Sequence, residues 1–211
     1  MSTDINDLMR KAKSYWYEDG MVETLAGLFF VAVGLILLAD WAAPDDWPWK
    51  WALAPIFAVV TIVWIFGGRK IISWLKEHIT YPRTGYVAYA QQGSWSGRAR
   101  AILGGILGAA ISIVLVATVI NRQDIVRLIP LIMGTGVALL LLRIGSSVAL
   151  TRFYIVALWS LLVGSGLAWS TADMGLSVAV YYAALGAAVA AAGVITFIRY
   201  LRSPAPEVGD D

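Results

Sequence analysis

The sequence predicts an all-α integral membrane protein: a bundle of six transmembrane helices, both ends cytoplasmic, with amphipathic helices at the interface. Three observations predict it. Of 211 residues, 59% are hydrophobic and 14% charged, where a soluble domain is about a quarter charged. The mean hydropathy is accordingly high, +0.73. Uncharged runs at 51–68, 101–120, 153–172 and 174–198 are close to or above the roughly 18–20 residues that cross a bilayer as helix. Lys and Arg sort to alternate loops, as counted below. Backbone groups inside a bilayer must pair internally, so these runs are helices. None alternates as a barrel strand does.

Residues 1–20 form a cytoplasmic N-terminal segment. Within it, 3–17 has the pattern of an amphipathic helix. Thr3 suits the cap and Asp4 and Asp7 the first turn. Ile5, Leu8, Met9, Ala12 and Trp16 recur at helical spacing, and Arg10, Lys11 and Lys13 lie elsewhere on the wheel, as on a helix resting on a membrane surface. The alternative is a frayed polar terminus. The six-helix domain then covers 21–200. Its first run follows about twenty polar residues, four of them acidic, and ends ADWAAPDD, a poor cleavage site. It therefore reads as a retained helix rather than a signal peptide.

Span 1 covers about 21–42 and span 2 about 49–67. Pro44, Asp45, Asp46 and Pro48 make the turn between them. Trp41, Trp47, Trp49 and Trp51 crowd that turn as an interfacial aromatic belt does. Gly67-Gly68 is expected to end or hinge span 2. Beyond it, Ile71, Ile72, Trp74, Leu75, His78 and Ile79 face one side of an interfacial helix, and Arg69, Lys70, Ser73, Lys76 and Glu77 mostly the other. Pro82 stops this helix. Thr84-Gly85 is a turn, Tyr86–Tyr89 alternates like a short strand, and 91–97 is loop. Span 3 covers about 101–120, span 4 about 127–145, span 5 about 150–171 and span 6 about 174–199; residues 201–211 form a disordered cytoplasmic tail. The spans are expected to pair as three helical hairpins.

Thirteen of the sixteen cations fall on the side holding the N-terminus, residues 69–100, the turn between spans 4 and 5, and the C-terminus. Lys50, Arg122 and Arg127 fall on the other. By the positive-inside rule both termini are in the cytoplasm and the protein sits in the cell (inner) membrane.

Spans 1 and 4 are short of uncharged residues: 16 lie between Glu23 and Asp40 and 15 between Arg127 and Arg143. At about 1.5 Å per residue neither covers a hydrocarbon core of about 30 Å. Charges at the ends of both spans therefore sit below the headgroups, where they seek partners. The topology allows two intramembrane ion pairs, Glu23 with Arg143 and Asp40 with Arg127, clamping span 1 to span 4. The other reading, an ion or proton path through Glu23, lacks an acid near mid-membrane. Small residues mark packing faces: Gly104 and Gly108; Ser160 and Gly164; Ala183, Gly186, Ala187, Ala190 and Gly193. The last set is expected to pack within the bundle rather than against a second subunit. Gly134 and Gly136 would allow a kink in span 4.

Residues 69–100 carry six cations against Glu77, a net +5. Near an anionic leaflet each is worth about 1 kcal/mol. A topological anchor explains part of this charge. The candidate contacts for anionic lipid headgroups or a partner protein are Arg69, Lys70, Lys76, Tyr81, Arg83, Tyr86, Arg98 and Arg100. Arg83 could bind a lipid phosphate, a partner carboxylate or the chain's own Glu18 or Asp19, with Tyr81 and Tyr86 flanking it. The YEDG at 17–20, the basic helix running into ITYPRTGYV at 79–87 and the RFY at 152–154 resemble a group of small uncharacterised prokaryotic multi-span membrane proteins. That resemblance covers most of the chain and implies no activity, so no functional residues carry over.

The chain has no cysteine and one histidine, His78. Thiolate chemistry, cysteine-held clusters and a His-rich metal site within one subunit are excluded. No phosphate-cradling loop, HExxH, GxSxG or nucleic-acid module occurs. No cofactor and no metal is expected. The favoured function is a non-catalytic subunit, scaffold or anchor that binds a partner or anionic lipid through the basic loop. The alternative is a small oligomeric transporter or channel, and a membrane-embedded enzyme is weakest. Near mid-membrane the polar residues are Thr61, Ser112, Thr118, Thr135, Ser160 and Ser165, each able to bond back to its own helix, which argues against a polar lining.

Overall fold

The structure is a computed structural model and describes residues 17–80, 127–170 and 173–202. The described chain is all α-helix: α1 (Met21–Ala42), α2 (Lys50–Leu75, continued by a π-helical turn at Lys76–Thr80), α3 (Ile129–Val148), α4 (Thr151–Trp169) and α5 (Met174–Arg202). Five helices, the second counted as Lys50–Ile79, are long and apolar enough to cross a membrane. The expected sixth span at 101–120 lies outside the described residues. So do the strand expected at 86–89 and all but Tyr17, which stands in a turn, of the surface helix expected at 3–17. Of the tail expected to be disordered at 201–211, Leu201 and Arg202 instead continue α5, and the rest lies outside the described residues.

Local chemistry accounts for the helix ends. Met21 N–H donates to Asp19 Oδ1 (3.1 Å), and Gly20 takes a left-handed φ of 70° at the cap of α1. Pro44 and Pro48 stop α1 and set up α2. Lys50 Nζ closes this turn on Asp45 Oδ1 (2.6 Å) and Ala43 O (3.1 Å). Pro130 stands in the first turn of α3, where its missing N–H costs nothing. Gly175 N–H donates to Asp173 Oδ1 (2.7 Å), capping α5. Arg199 and Arg202 stand in the last turn of α5, where the helix dipole favours cations.

Gly67-Gly68 does not interrupt α2, contrary to expectation. The Trp64 ring lies over Gly68, 3.3 Å from where a Cβ would stand, and a bilayer offers no water to take broken backbone bonds.

Of the three expected hairpins, spans 1–2 and spans 5–6 make only minor contact, and the hairpin of spans 3 and 4 lies partly outside the described residues. The first and last helices make the most extensive contact, antiparallel along most of their length. The contact is backbone to backbone. A Cβ on Gly27 would meet Ala190 N at 2.2 Å, one on Gly34 would meet Ala183 N at 2.5 Å, and one on Gly186 would meet Val31 N at 2.5 Å. Gly20 and Gly193 close the same seam at one end. Gly20, Gly27 and Gly34 are seven apart, so one narrow stripe of α1 stays smooth for the small-residue stripe of α5. Close approach of this kind replaces the hydrophobic drive that helices in lipid lack. The face expected on Ala183, Gly186, Ala190 and Gly193 thus packs within the bundle, while Ala187 is exposed.

α3 and α4, expected spans 4 and 5 of two different hairpins, form the second extensive antiparallel pair. Gly164 sits against Pro130 O and Gly134 against Ser160 O. Gly134 serves helix contact and not a kink, and Gly136 meets nothing within 4 Å. α5 joins the pairs through a core of Ala138, Leu141, Phe153, Val156, Ala157, Tyr181 and Leu185. α2 leans on α1, with Phe29 and Trp64 stacked at 4.8 Å. The four tryptophans of the first turn are exposed, as a belt would be.

Candidate functional site

One end of the bundle gathers the start of α1, the end of α2, the start of α4 and the end of α5. Two ion pairs are buried there. Lys76 Nζ lies 2.9 Å from Asp19 Oδ2, with side chains 3% and 2% exposed. Arg152 Nη2 lies 2.7 Å from Glu23 Oε1, with Glu23 5% exposed. The second pair is held by charge rather than by an aligned hydrogen bond: among the described residues, neither Glu23 oxygen nor Arg152 Nε has a hydrogen-bond partner. Arg152 instead donates through Nη1 to Thr196 Oγ1 (2.8 Å) and through Nη2 to the Tyr17 carbonyl. One guanidinium thus ties α4 to α1, to α5 and to the turn before α1. Tyr17 packs edge-on against Phe153 (5.5 Å between centroids). Burial, and then the Glu23 carboxylate, push its hydroxyl pKa above the ordinary value. The YEDG and RFY sequences therefore meet in space, and Lys76 from the basic helix joins them.

Local sequence explains the geometry. Asp19 stands in the turn before α1 and Glu23 in its first turn, so the same entrance carries both acids. Gly20 has no side chain, and a Cβ there would stand 2.4 Å from Gly193 O. The turn carrying Asp19 is thereby pressed onto α5. Lys76 opens the π-helical turn that ends α2.

Several expected site residues stand elsewhere. Glu23 pairs with Arg152 and not with Arg143, which is exposed on α3. Asp40 and Arg127 are both exposed, and no ion pair joins them. The physical reason is helix neighbourhood: α1 packs on α5 and α2, so no α3 surface faces it closely enough for a clamp. Lys76 is buried on Asp19 rather than placed on the polar face, whereas Arg69 and Lys70 are exposed as expected. Tyr81, Arg83, Tyr86, Arg98 and Arg100 lie outside the described residues.

Within the spans, Thr61, Thr135 and Ser165 bond back to carbonyls of their own helices at 2.7–2.8 Å. Ser160 does not. Its Oγ lies 3.1 Å from Gly134 O and 2.9 Å from the hydroxyl of the fully buried Tyr181. This closed polar knot links α3, α4 and α5. Ser112 and Thr118 lie outside the described residues. Among the described residues no group of three His, Cys, Asp or Glu side chains could hold a metal.

Sequence reasoning missed Arg152 and Tyr181 as partners, and it set Asp19 against Arg83 where the structure pairs it with Lys76. The signal was present for Arg152 and Asp19: an acidic YEDG entering one span and a basic RFY entering another at the same end. Comparison with protein-family models, curated proteins and solved structures finds no match to this chain.

Proposed function

We propose that the chain is a non-catalytic multi-pass protein of the cell membrane, six-spanning with both termini cytoplasmic. It acts as a scaffold or anchor whose basic stretch, residues 69–100, binds anionic lipid headgroups or an acidic partner surface. The observation that carries this reading is the sorting of charge along the bundle. Arg69, Lys70, Lys76, Arg143, Arg152, Arg199 and Arg202 belong to the Asp19 end, and Lys50 and Arg127 to the other. That asymmetry is what the positive-inside rule reads as cytoplasmic.

Two geometric points support it. α2 ends at the Asp19 end while α3 starts at the opposite end, so the intervening chain needs an odd number of crossings. The uncharged run 101–120 is long enough for one. The second helix, 30 residues through Ile79, is about 45 Å long against a hydrocarbon core of about 30 Å, so its basic end reaches the headgroups. Thr61, Thr135 and Ser165 bond to carbonyls of their own helices, and Ser160 to Gly134 O and Tyr181 of neighbouring helices, which favours docking over transport.

The test is extraction of the full chain from its membrane directly into polymer discs, followed by mass spectrometry of the lipids and proteins retained. Wild type should retain anionic lipid above its bulk fraction, or one acidic protein in fixed ratio. The Arg69→Glu/Lys70→Glu and Arg83→Glu variants should lose it. Identical contents in all three would refute the docking role.

A further inference from the structure

The sequence places Lys76 among the ligand contacts, yet the structure withdraws it from the surface. Its neighbours Arg69, Lys70, Glu77 and His78 are exposed, whereas its ammonium is buried against Asp19 at 2.9 Å. The carboxylate it meets is held twice over. Asp19 Oδ1 accepts from Met21 N–H at the start of α1, and the adjacent Gly20 is locked against Gly193 O. The chain changes from α- to π-helical geometry at Lys76, which alters the rotation of the turn that follows, through Thr80. A buried ion pair is a poor source of stability, and its best-attested use is to fix register.

We infer that Lys76 is a positioning residue: with Asp19 it forms a latch that sets where and at what rotation the basic loop leaves α2. This deepens the docking reading and rests on it. The headgroup or partner contacts then belong to Arg69, Lys70 and the loop, and Lys76 contributes by aiming them. The same latch links the end of α2 to the turn before α1.

Charge exchange separates the latch from direct contact. A direct headgroup contact at position 76 is destroyed when that position carries an anion. A latch is restored when Asp19→Lys and Lys76→Asp are combined. The full chain, free of native cysteine, takes spin labels at Glu77→Cys and Ser147→Cys and goes into discs of phosphatidylglycerol and phosphatidylcholine in equal parts. Pulsed dipolar spectroscopy reads the distance, and native mass spectrometry reads the retained phosphatidylglycerol. In wild type and Lys76→Arg the distance distribution is narrow and phosphatidylglycerol is enriched. Lys76→Met and Asp19→Asn broaden the distribution and lower the enrichment several-fold, and the exchanged pair recovers both. Two results overturn the latch: a distribution unchanged in the single variants, or an exchanged pair that stays as broad, or as poorly folded, as they are. The distance is read independently of any ligand. Enrichment absent from wild type with a latch-dependent distance would therefore count against the docking reading and not against the latch.

Discussion

Glu23 stands at the start of α1; the expected partner Arg143 and Arg152 are both at its end of the bundle, and of these two Arg152 reaches it, at 2.7 Å. Breaking a buried pair by removing one partner costs about 3–5 kcal/mol, because the other charge is left stranded. Arg152→Gln should therefore lower the thermal stability of the disc-embedded protein sharply. Arg143→Gln should change it by no more than about 0.5 kcal/mol, as for a surface substitution. A depth argument places a charge along the membrane normal and says nothing of which neighbouring helix faces it. That is why the acid was legible in the sequence and its partner was not. A similar asymmetry holds at Tyr181. Ser160→Ala leaves a fully buried hydroxyl without its partner and should cost about 1–3 kcal/mol. Tyr181→Phe leaves Ser160 still donating to Gly134 O and should cost nearer 0.6 kcal/mol. Equal losses in the two melts would contradict the knot. At the far turn, the hydrogen bond and then the charge of Lys50 hold the exposed Asp45 carboxyl pKa below its ordinary value. Its small contribution is present above the ordinary carboxylate pKa and disappears as pH falls through the lowered folded value. A carboxyl NMR titration of the wild type beside Lys50→Met should show the Asp45 midpoint rise in the variant.

At the scale of elements, the α1–α5 seam depends on glycine where backbones touch. Gly27→Val or Gly186→Val forces a side chain into backbone atoms 2.2–2.5 Å from its Cβ. Overpacking costs about 1–3 kcal/mol and occasionally more, and against backbone atoms that cannot move aside the folded fraction should fall sharply. Gly136→Ala meets open space and should be neutral or slightly stabilising through helix propensity. The contrast can be read from the monodisperse fraction after extraction. The helices themselves were legible: span 1 is Met21–Ala42 as expected, and α3 to α5 fall within a few residues of their expected limits. Their neighbours were not. The seven-residue spacing of Gly20, Gly27 and Gly34 was the available signal, and it matters only once the small stripe of α5 is set beside it. The wheel that put Lys76 on the polar face assumed unbroken α-helical rotation and an exposed cation. Lys76 itself keeps α-helical register, its N–H on Ile72 O, and it is the proximity of Asp19 that undoes the second assumption.

At the scale of the whole molecule, α5 stands between α1 and the α3–α4 pair, so the last helix organises the described bundle. The ends of α1, α2, α4 and α5 converge where the cations gather. The docking account requires that this end face the cytoplasm and that a crossing lie between α2 and α3. Because the chain has no native cysteine, single cysteines report sidedness cleanly. The decisive measurement is labelling of intact cells with a membrane-impermeant maleimide at Asp45→Cys, Arg122→Cys, Glu77→Cys and Ser147→Cys, one at a time. The account predicts labelling at positions 45 and 122 in intact cells, and at 77 and 147 only after the membrane is opened. Labelling of 77 in intact cells, or of 45 and 122 from opposite sides, would contradict it.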